Sequence, residues 1–169
     1  MATHEQDLNL ISRQESLLRL PGFDATVAWE LGCLVRDLAV ARGHAMVIDV
    51  RRFGMPDQQL FFAATPGTTP DNSRWVQRKV NTVARFHRSS YAVGLQLAAA
   101  GRSFGERYGL AESDYAAHGG CFPLHVQGAG VVGAVTVSGL PQREDHNLVV
   151  EALCLLLQLD PAEYLLPAE

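Results

Sequence analysis

The stretch that decides the fold covers residues 118–140 and reads H-G-G-C-F-P-L-H-V-Q-G-A-G-V-V-G-A-V-T-V-S-G-L. Two runs with strand character, residues 121–127 and 131–138, flank the tripeptide Gly128-Ala129-Gly130. Because glycine accepts positive φ angles, this tripeptide is typical of a tight connection between antiparallel strands. The stretch therefore predicts a β-hairpin, and Gly139-Leu140-Pro141 ends its second strand.

The rest of the chain predicts a second hairpin and several helices. Residues 44–50 and 59–64 read as two strands joined by a turn at 54–57, while apolar residues recur at helical spacing in 8–18, 27–38 and 148–159. Asp24 is a favourable N-cap for the second helix. Thr69-Pro70-Asp71 predicts the start of a long helix, because it combines a capping hydroxyl, a first-turn proline and an acid. Another helix is expected at about 90–100.

The predicted order is helix, helix, strand, strand, helix, helix, strand, strand, helix. Two hairpins joined by helices cannot all be parallel βαβ units. We therefore predict an α+β fold, an antiparallel sheet with helices packed mainly on one face. The 169 residues are expected to form one domain, with a core at 24–160 and a helical extension at 1–22 that packs on the body or on a partner.

Composition excludes several classes of protein. The chain is 47% hydrophobic and 19% charged with a formal net charge of -4, which argues against a dedicated nucleic-acid binder. No apolar run approaches the roughly 20 residues that span a bilayer, and the first residues lack the apolar centre of a signal peptide. The cysteines at 33, 121 and 154 imply neither a disulfide framework nor a metal knuckle. A cytoplasmic protein without a membrane segment is expected.

Two motif matches in the hairpin fail on strand geometry. Residues 128–133 satisfy G-x-G-x-x-G, but a dinucleotide loop must open a helix, and the β-branched run that follows predicts a strand. His118, Cys121 and His125 resemble spaced zinc ligands, but Cys121 and His125 lie in the same predicted strand. Four residues along a strand separate their side chains by roughly 13 Å, too far to share a metal whose bonds are about 2 Å long. No metal site is predicted.

The long helix carries two distinct faces. Val76, Val80 and Val83 form an apolar stripe that His87 is expected to continue. Beside it lies a cationic face of Arg74, Arg78, Asn81, Arg85 and Arg88. No Glu four residues along neutralises these arginines. Three interpretations of this face remain open: a solvated surface, a binding surface for an anionic ligand, or a set of salt bridges across a subunit interface.

The two ends of the hairpin carry further candidates. His118-Gly119-Gly120 is either a structural turn or a place where a ligand approaches bare backbone amides. Asp145 and His146 fall in the first turn of the last helix, where the dipole favours an acid and holds a histidine neutral. Eight residues are therefore predicted to bind a ligand: Arg85, His87, Arg88, His118, Gly119, Gly120, Asp145 and His146.

Three segments resemble the haem-degrading-domain family, also called GlcG/HbpS-like. They are A-R-F-H-R-S-S-Y at 84–91, H-G-G-C-F-P-L-H-V at 118–126 and G-A-V-T-V-S-G-L-P-Q-R-E-D-H at 133–146. The resemblance covers about 24–159 and is closest to a small subfamily marked by S-G-L-P-Q-x-E-D-H. It implies a profilin-like sandwich assembled into symmetric homo-oligomers. Some relatives bind haem or other tetrapyrroles, so haem is a candidate cofactor, but the family shares no iron ligand that can be placed here.

Three functions follow as hypotheses. The first is a module that binds an anionic small molecule between the long helix and the hairpin. The second is an enzyme that uses Asp145 and His146 as an acid/base pair or Cys121 as a nucleophile, although neighbours in a helix point about 100° apart. The third is an interaction scaffold whose arginines form interfaces.

Overall fold

The computed structural model describes residues 3–168. Its elements are α1 (His4–Leu17), β1 (Arg19–Leu20), α2 (Ala25–Ala41), β2 (Val47–Arg52), β3 (Gln58–Ala64), α3 (Pro70–Phe86), α4 (Ser90–Ala100), α5 (Phe104–Tyr108), β4 (Cys121–Val126), β5 (Gly130–Ser138) and α6 (Gln142–Leu156), followed by a 3-10 turn at Pro161–Glu163. The nine predicted elements occur in the predicted order. The additions, β1, α5 and the 3-10 turn, are too short to show a periodic pattern.

The predicted caps explain where two helices begin. The side chain of Asp24 accepts a hydrogen bond from the backbone N–H of Val27 at 2.9 Å and starts α2. Thr69 and Asn72 form a capping box at the start of α3, with Pro70 as the first helical residue. Both predicted starts are confirmed, because each depends only on residues within one turn.

The sheet has the strand order β1-β4-β5-β2-β3. The predicted hairpins, β2 with β3 and β4 with β5, are antiparallel, and β5 also pairs antiparallel with β2. Gly128 and Gly130 have φ angles of 77° and 82° in the turn of the second hairpin. The antiparallel prediction is thus confirmed for the central strands, whereas β1 pairs parallel with the outer edge of β4.

Helices cover both faces of the sheet, so the prediction that they lie mainly on one face is wrong. Alternate residues of a strand point to opposite sides, and they belong here to two separate cores. One core joins α2 and α6 to Ile48, Val50, Val135 and Val137. The other joins the valine stripe of α3 to Val47, Cys121 and Ala134. The long helix therefore packs against the second face of the central strands, where it can form one wall of a site.

Helix α1 packs closely on the body of the domain. Its Asp7 accepts hydrogen bonds of 2.7 and 3.0 Å from the guanidinium of Arg143 at the start of α6. Ile11 is fully buried in a cluster with Tyr91 and Leu95 of α4. These contacts join α1 to segments 80 or more residues away, so α1 packs on the body of the domain.

His146 lies in the core beneath α1. Its Nε2 is 2.8 Å from Oε1 of the buried Gln14, and its ring packs between the rings of Tyr91 and Phe122. Burial lowers the pKa of His146 to about 3, with a smaller contribution from Arg143. This histidine is therefore neutral at physiological pH, as expected for a helix first turn, but complete burial is the main cause.

Candidate functional site

A cleft of about 290 Å³ opens between the first half of α3 and the loops that precede β4 and α6. Positions 72, 75 and 79 of α3 lie on one helical face, and that face forms one wall of the cleft. The opposite wall consists of the residues before β4, the end of β5 and the first turn of α6. The side chains that line the cleft include Asn72, Trp75, Lys79, His118, Gln142 and Asp145.

A buried ion pair forms the floor of this cleft. The ammonium of Lys79 donates hydrogen bonds of 3.0 Å to Oδ2 of Asp145 and 3.0 Å to the carbonyl of Val137. Lys79 and Asp145 are only 3% and 1% exposed. Because an ammonium carries three N–H donors, these two bonds leave one donor of Lys79 for a group in the cleft.

The carboxylate of Asp145 is held from two sides. Its Oδ1 accepts a 3.0 Å hydrogen bond from the backbone N–H of Leu140, so it fixes the loop that leads into α6. Burial raises the pKa of Asp145, and the opposing effects of Lys79 and of the hydrogen bonds limit the rise. A ligand that drew the ammonium away would therefore raise the pKa of this carboxyl further.

The glycines before β4 allow the two walls to meet. Gly120 has a φ of 124°, and a Cβ there would lie 2.6 Å from Nζ of Lys79. A Cβ on Gly119 would lie 1.9 Å from the carbonyl oxygen of Gln142. Both positions require glycine because a side chain would displace the ion pair or the start of α6. Gly119 lines the cleft, whereas Gly120 supports it from below.

The side chain of His118 lies at the rim of the cleft, beside the ring of Trp75 and the guanidinium of Arg78. Its exposed ring meets the ring of Trp75 edge-on at 5.2 Å between centroids, and the guanidinium carbon of Arg78 lies 4.4 Å from the Trp75 centroid. Partial burial lowers the pKa of His118, helped by the charges of Lys79 and Arg78 and opposed by Glu112. At neutral pH this imidazole is uncharged and can accept a proton or a hydrogen bond.

The remaining predicted residues lie away from the cleft. His87 does not continue the valine stripe: it takes a left-handed φ of 52° and ends α3 as an exposed C-cap. Arg85 is exposed in the last turn of α3, and Arg88 forms an ion pair with Glu15 of α1. His146, about 100° around the helix from Asp145, faces the core. Of the eight predicted residues, His118, Gly119 and Asp145 line the cleft.

Sequence reasoning missed Lys79, Trp75, Asn72 and Gln142. Lys79 did leave a signal, because it interrupts the buried face marked by Val76, Val80 and Val83. Lysine is almost never fully buried without a partner. A lysine at such a position therefore predicts an acid opposite it, although only the folded chain identifies Asp145.

The alternative chemistries have no site among residues 3–168. No group of three His, Cys, Asp or Glu side chains is close enough to hold a metal ion. Cys121 is fully buried, its Sγ accepts a 3.0 Å hydrogen bond from Thr136, and burial raises the pKa of the thiol to about 12. It is not a nucleophile at neutral pH, and Asp145 and His146 do not form an acid/base pair.

None of the described helices combines the length and apolar character needed to cross a membrane.

Known proteins match nearly the whole chain. A family model described as haem-degrading protein HbpS-like matches residues 23–154. A UPF0303 protein of Acidobacterium capsulatum is 58% identical over 162 residues, which are 96% of this chain and 96% of that one. A UPF0303 protein of Burkholderia thailandensis is 60% identical over 151 residues, 89% of this chain and 90% of the relative.

Two solved structures share the fold. The crystal structure of the Ybr137w protein matches with a TM-score of 0.83 and 27% sequence identity, over 89% of this chain and 88% of that chain. The crystal structure of HbpS matches with a TM-score of 0.62 and 18% identity, over 82% and 92%. Together with the family match, these confirm the resemblance found in the sequence and the profilin-like α+β fold.

The local charge at His118 can be measured directly. Because the guanidinium of Arg78 helps to lower the pKa of His118, Arg78→Met should raise that pKa toward the ordinary value of 6.5. The shift of the His118 ring signal with pH in the proton NMR spectrum gives the pKa. Arg85→Met, which removes a cation from the exposed end of the same helix, should leave it unchanged. Equal effects of the two substitutions would contradict this electrostatic account.

Proposed function

The chain belongs to the family of HbpS-like haem-degrading proteins, and we propose that it binds a small molecule with an acidic group in the cleft beside α3. The observation that carries the proposal is the ammonium of Lys79, which is buried at the floor of the cleft with one donor left over. Charge-assisted hydrogen bonds to carboxylate or phosphate oxygens are the strong ones in such a setting.

The start of α6 supports the same assignment. Pro141 is the N-cap residue, and no side chain caps the first turn of this 15-residue helix. The uncapped N–H groups and the dipole of a helix N-terminus favour an anion. Asp71 lies at the mouth of the cleft and repels negative charge. The acidic group of the ligand therefore lies toward Lys79 and Gln142, with a neutral part of the ligand facing Asp71.

Haem itself does not fit this cleft. Its volume of about 290 Å³ is at the lower end of the range for ligand pockets, and a porphyrin needs apolar walls on both faces. Trp75 and Leu140 supply apolar side chains, but the other side chains of the lining, those of Asp71 and Asp145 among them, are polar or charged. We therefore favour a small acid over a tetrapyrrole.

Self-association is a second part of the proposal. Strand β3 forms a free sheet edge whose seven residues, Q-Q-L-F-F-A-A, include neither a charge nor a proline. Phe62 on this strand and Trp29 on the neighbouring helix α2 are 50% and 61% exposed. Long unguarded edges of this kind pair with other chains, and a second copy of this chain presents the same edge. We propose a homo-oligomer built on this contact.

The edge contact can be tested by sedimentation velocity. Phe62→Lys places a charge on the free edge and should lower the molecular mass of the assembly. Leu155→Lys, an equally drastic change at an exposed position of α6, serves as the control and should leave the mass unchanged. An unchanged mass for Phe62→Lys would exclude the β3 edge as the interface.

Ligand binding can be followed through Trp75, since it lines the cleft. In a Trp29→Phe background, Trp75 is the remaining tryptophan of the two in the chain. Titration with succinate or inorganic phosphate should change its fluorescence saturably, because the acid would enter beside the indole. Haem, followed by its Soret absorbance, should show no saturable shift. Lys79→Met should remove the fluorescence change, while His87→Asn, a substitution at the exposed C-cap, should preserve it.

Two results of this titration would refute the proposed function. Absence of saturation with both acids would refute the proposed function, and so would undiminished binding by Lys79→Met. Because a buried lysine is replaced, circular dichroism must show that Lys79→Met is folded. Gln142→Ala, a change at an exposed residue of the same cleft, provides an independent variant that should also weaken binding.

A further inference from the structure

A second cavity lies on the other side of His118. This side pocket has a volume of about 210 Å³, and its lining includes Arg78, Arg102, Glu112 and His118, with Phe104 among its apolar residues. His118 lines both the side pocket and the cleft. The two cavities are therefore adjacent, and one ligand can occupy both of them by extending past the side chain of His118.

The side chain of Arg78 has a hydrogen-bond donor that an acceptor on a ligand can satisfy. Its Nε is buried, and nothing within residues 3–168 accepts a hydrogen bond from it. Stacking on Trp75 at 4.4 Å holds the plane of the guanidinium, which pre-organises its N–H groups. A buried donor without an acceptor destabilises the folded protein. An acidic group in the side pocket would supply the acceptor.

Positive charge prevails in the side pocket. Arg78 and Arg102 both line it, and neither takes part in an ion pair in the described part of the chain. Glu112 is the acidic residue that faces them. The two guanidinium groups outnumber this single exposed carboxylate, so the pocket favours an anion. The lowered pKa of His118, to which Arg78 contributes more than Glu112 opposes, agrees with this balance.

We propose that the side pocket is a second anion subsite, and that the ligand is therefore a small molecule with two acidic groups, such as a dicarboxylate. One group meets Lys79 in the cleft, and the other meets Arg78 and Arg102. The chain between them passes His118, whose neutral imidazole accepts a hydrogen bond from a hydroxyl or amide of the ligand. This inference rests on the proposed function of the cleft and adds the class of its ligand.

The test compares each diacid with its own monoamide. Succinate, glutarate and adipate, each paired with the monoamide of the same length, are titrated against the Trp29→Phe protein by Trp75 fluorescence. At the best length the diacid should bind at least about tenfold more tightly than its monoamide, because it makes one more charge-assisted hydrogen bond. Arg102→Met, a change at an exposed residue, should reduce the diacid to the affinity of its monoamide. Arg85→Met is the matched control and should preserve the difference.

The outcomes separate the two proposals. If no diacid and no monoamide binds, the cleft is not an acid site and both proposals fail. If diacid and monoamide bind equally at all three lengths, the cleft stands and the side pocket is refuted. A diacid preference that persists in both Arg102→Met and Arg78→Met also refutes the side pocket, because the second charge would then be recognised elsewhere.

Discussion

One buried ion pair, Lys79 with Asp145, determines the geometry of the site. It ties α3 on one face of the sheet to the first turn of α6, 66 residues further along the chain. Burying two charges is costly unless their other hydrogen bonds are satisfied, and here Val137 and Leu140 supply one backbone partner to each charge, which still leaves one N–H of Lys79 for a ligand. Gly120 follows from the same constraint, since a side chain there would displace the ammonium.

We propose that the arrangement around the pair serves binding more than stability. A buried ion pair is often no more stabilising than well-packed apolar residues of similar volume. This one leaves a lysine donor facing the cleft and sets it beside an uncapped helix N-terminus, a tryptophan and a neutral histidine. Arg78, whose guanidinium lies 4.4 Å from the centroid of Trp75, likewise has a buried N–H without an acceptor in the described part of the chain.

Local rules predicted the fold well, and long-range contacts account for what they missed. The caps at Asp24 and Thr69 and the glycine turn of the hairpin depend on neighbouring residues, and all three are present. His87 fits the spacing of the valine stripe, but α3 ends one residue earlier with a left-handed turn. The burial of His146 depends on Gln14, which is 132 residues away. Asp145 was predicted for the site as a first-turn acid, and Lys79 interrupts the buried face of α3, but their pairing is recognisable only once α3 lies against the sheet.

The central claim is that the Lys79 and Asp145 pair is kept for ligand binding. The double variant Lys79→Met, Asp145→Asn removes both charges while keeping similar volumes and an acceptor for the N–H of Leu140. Its free energy of unfolding in urea and its affinity for succinate are measured on the same preparation. The account predicts a free energy of unfolding within about 2 kcal/mol of the unmodified protein, together with loss of saturable succinate binding. A double variant that binds succinate as tightly as the unmodified protein would contradict it.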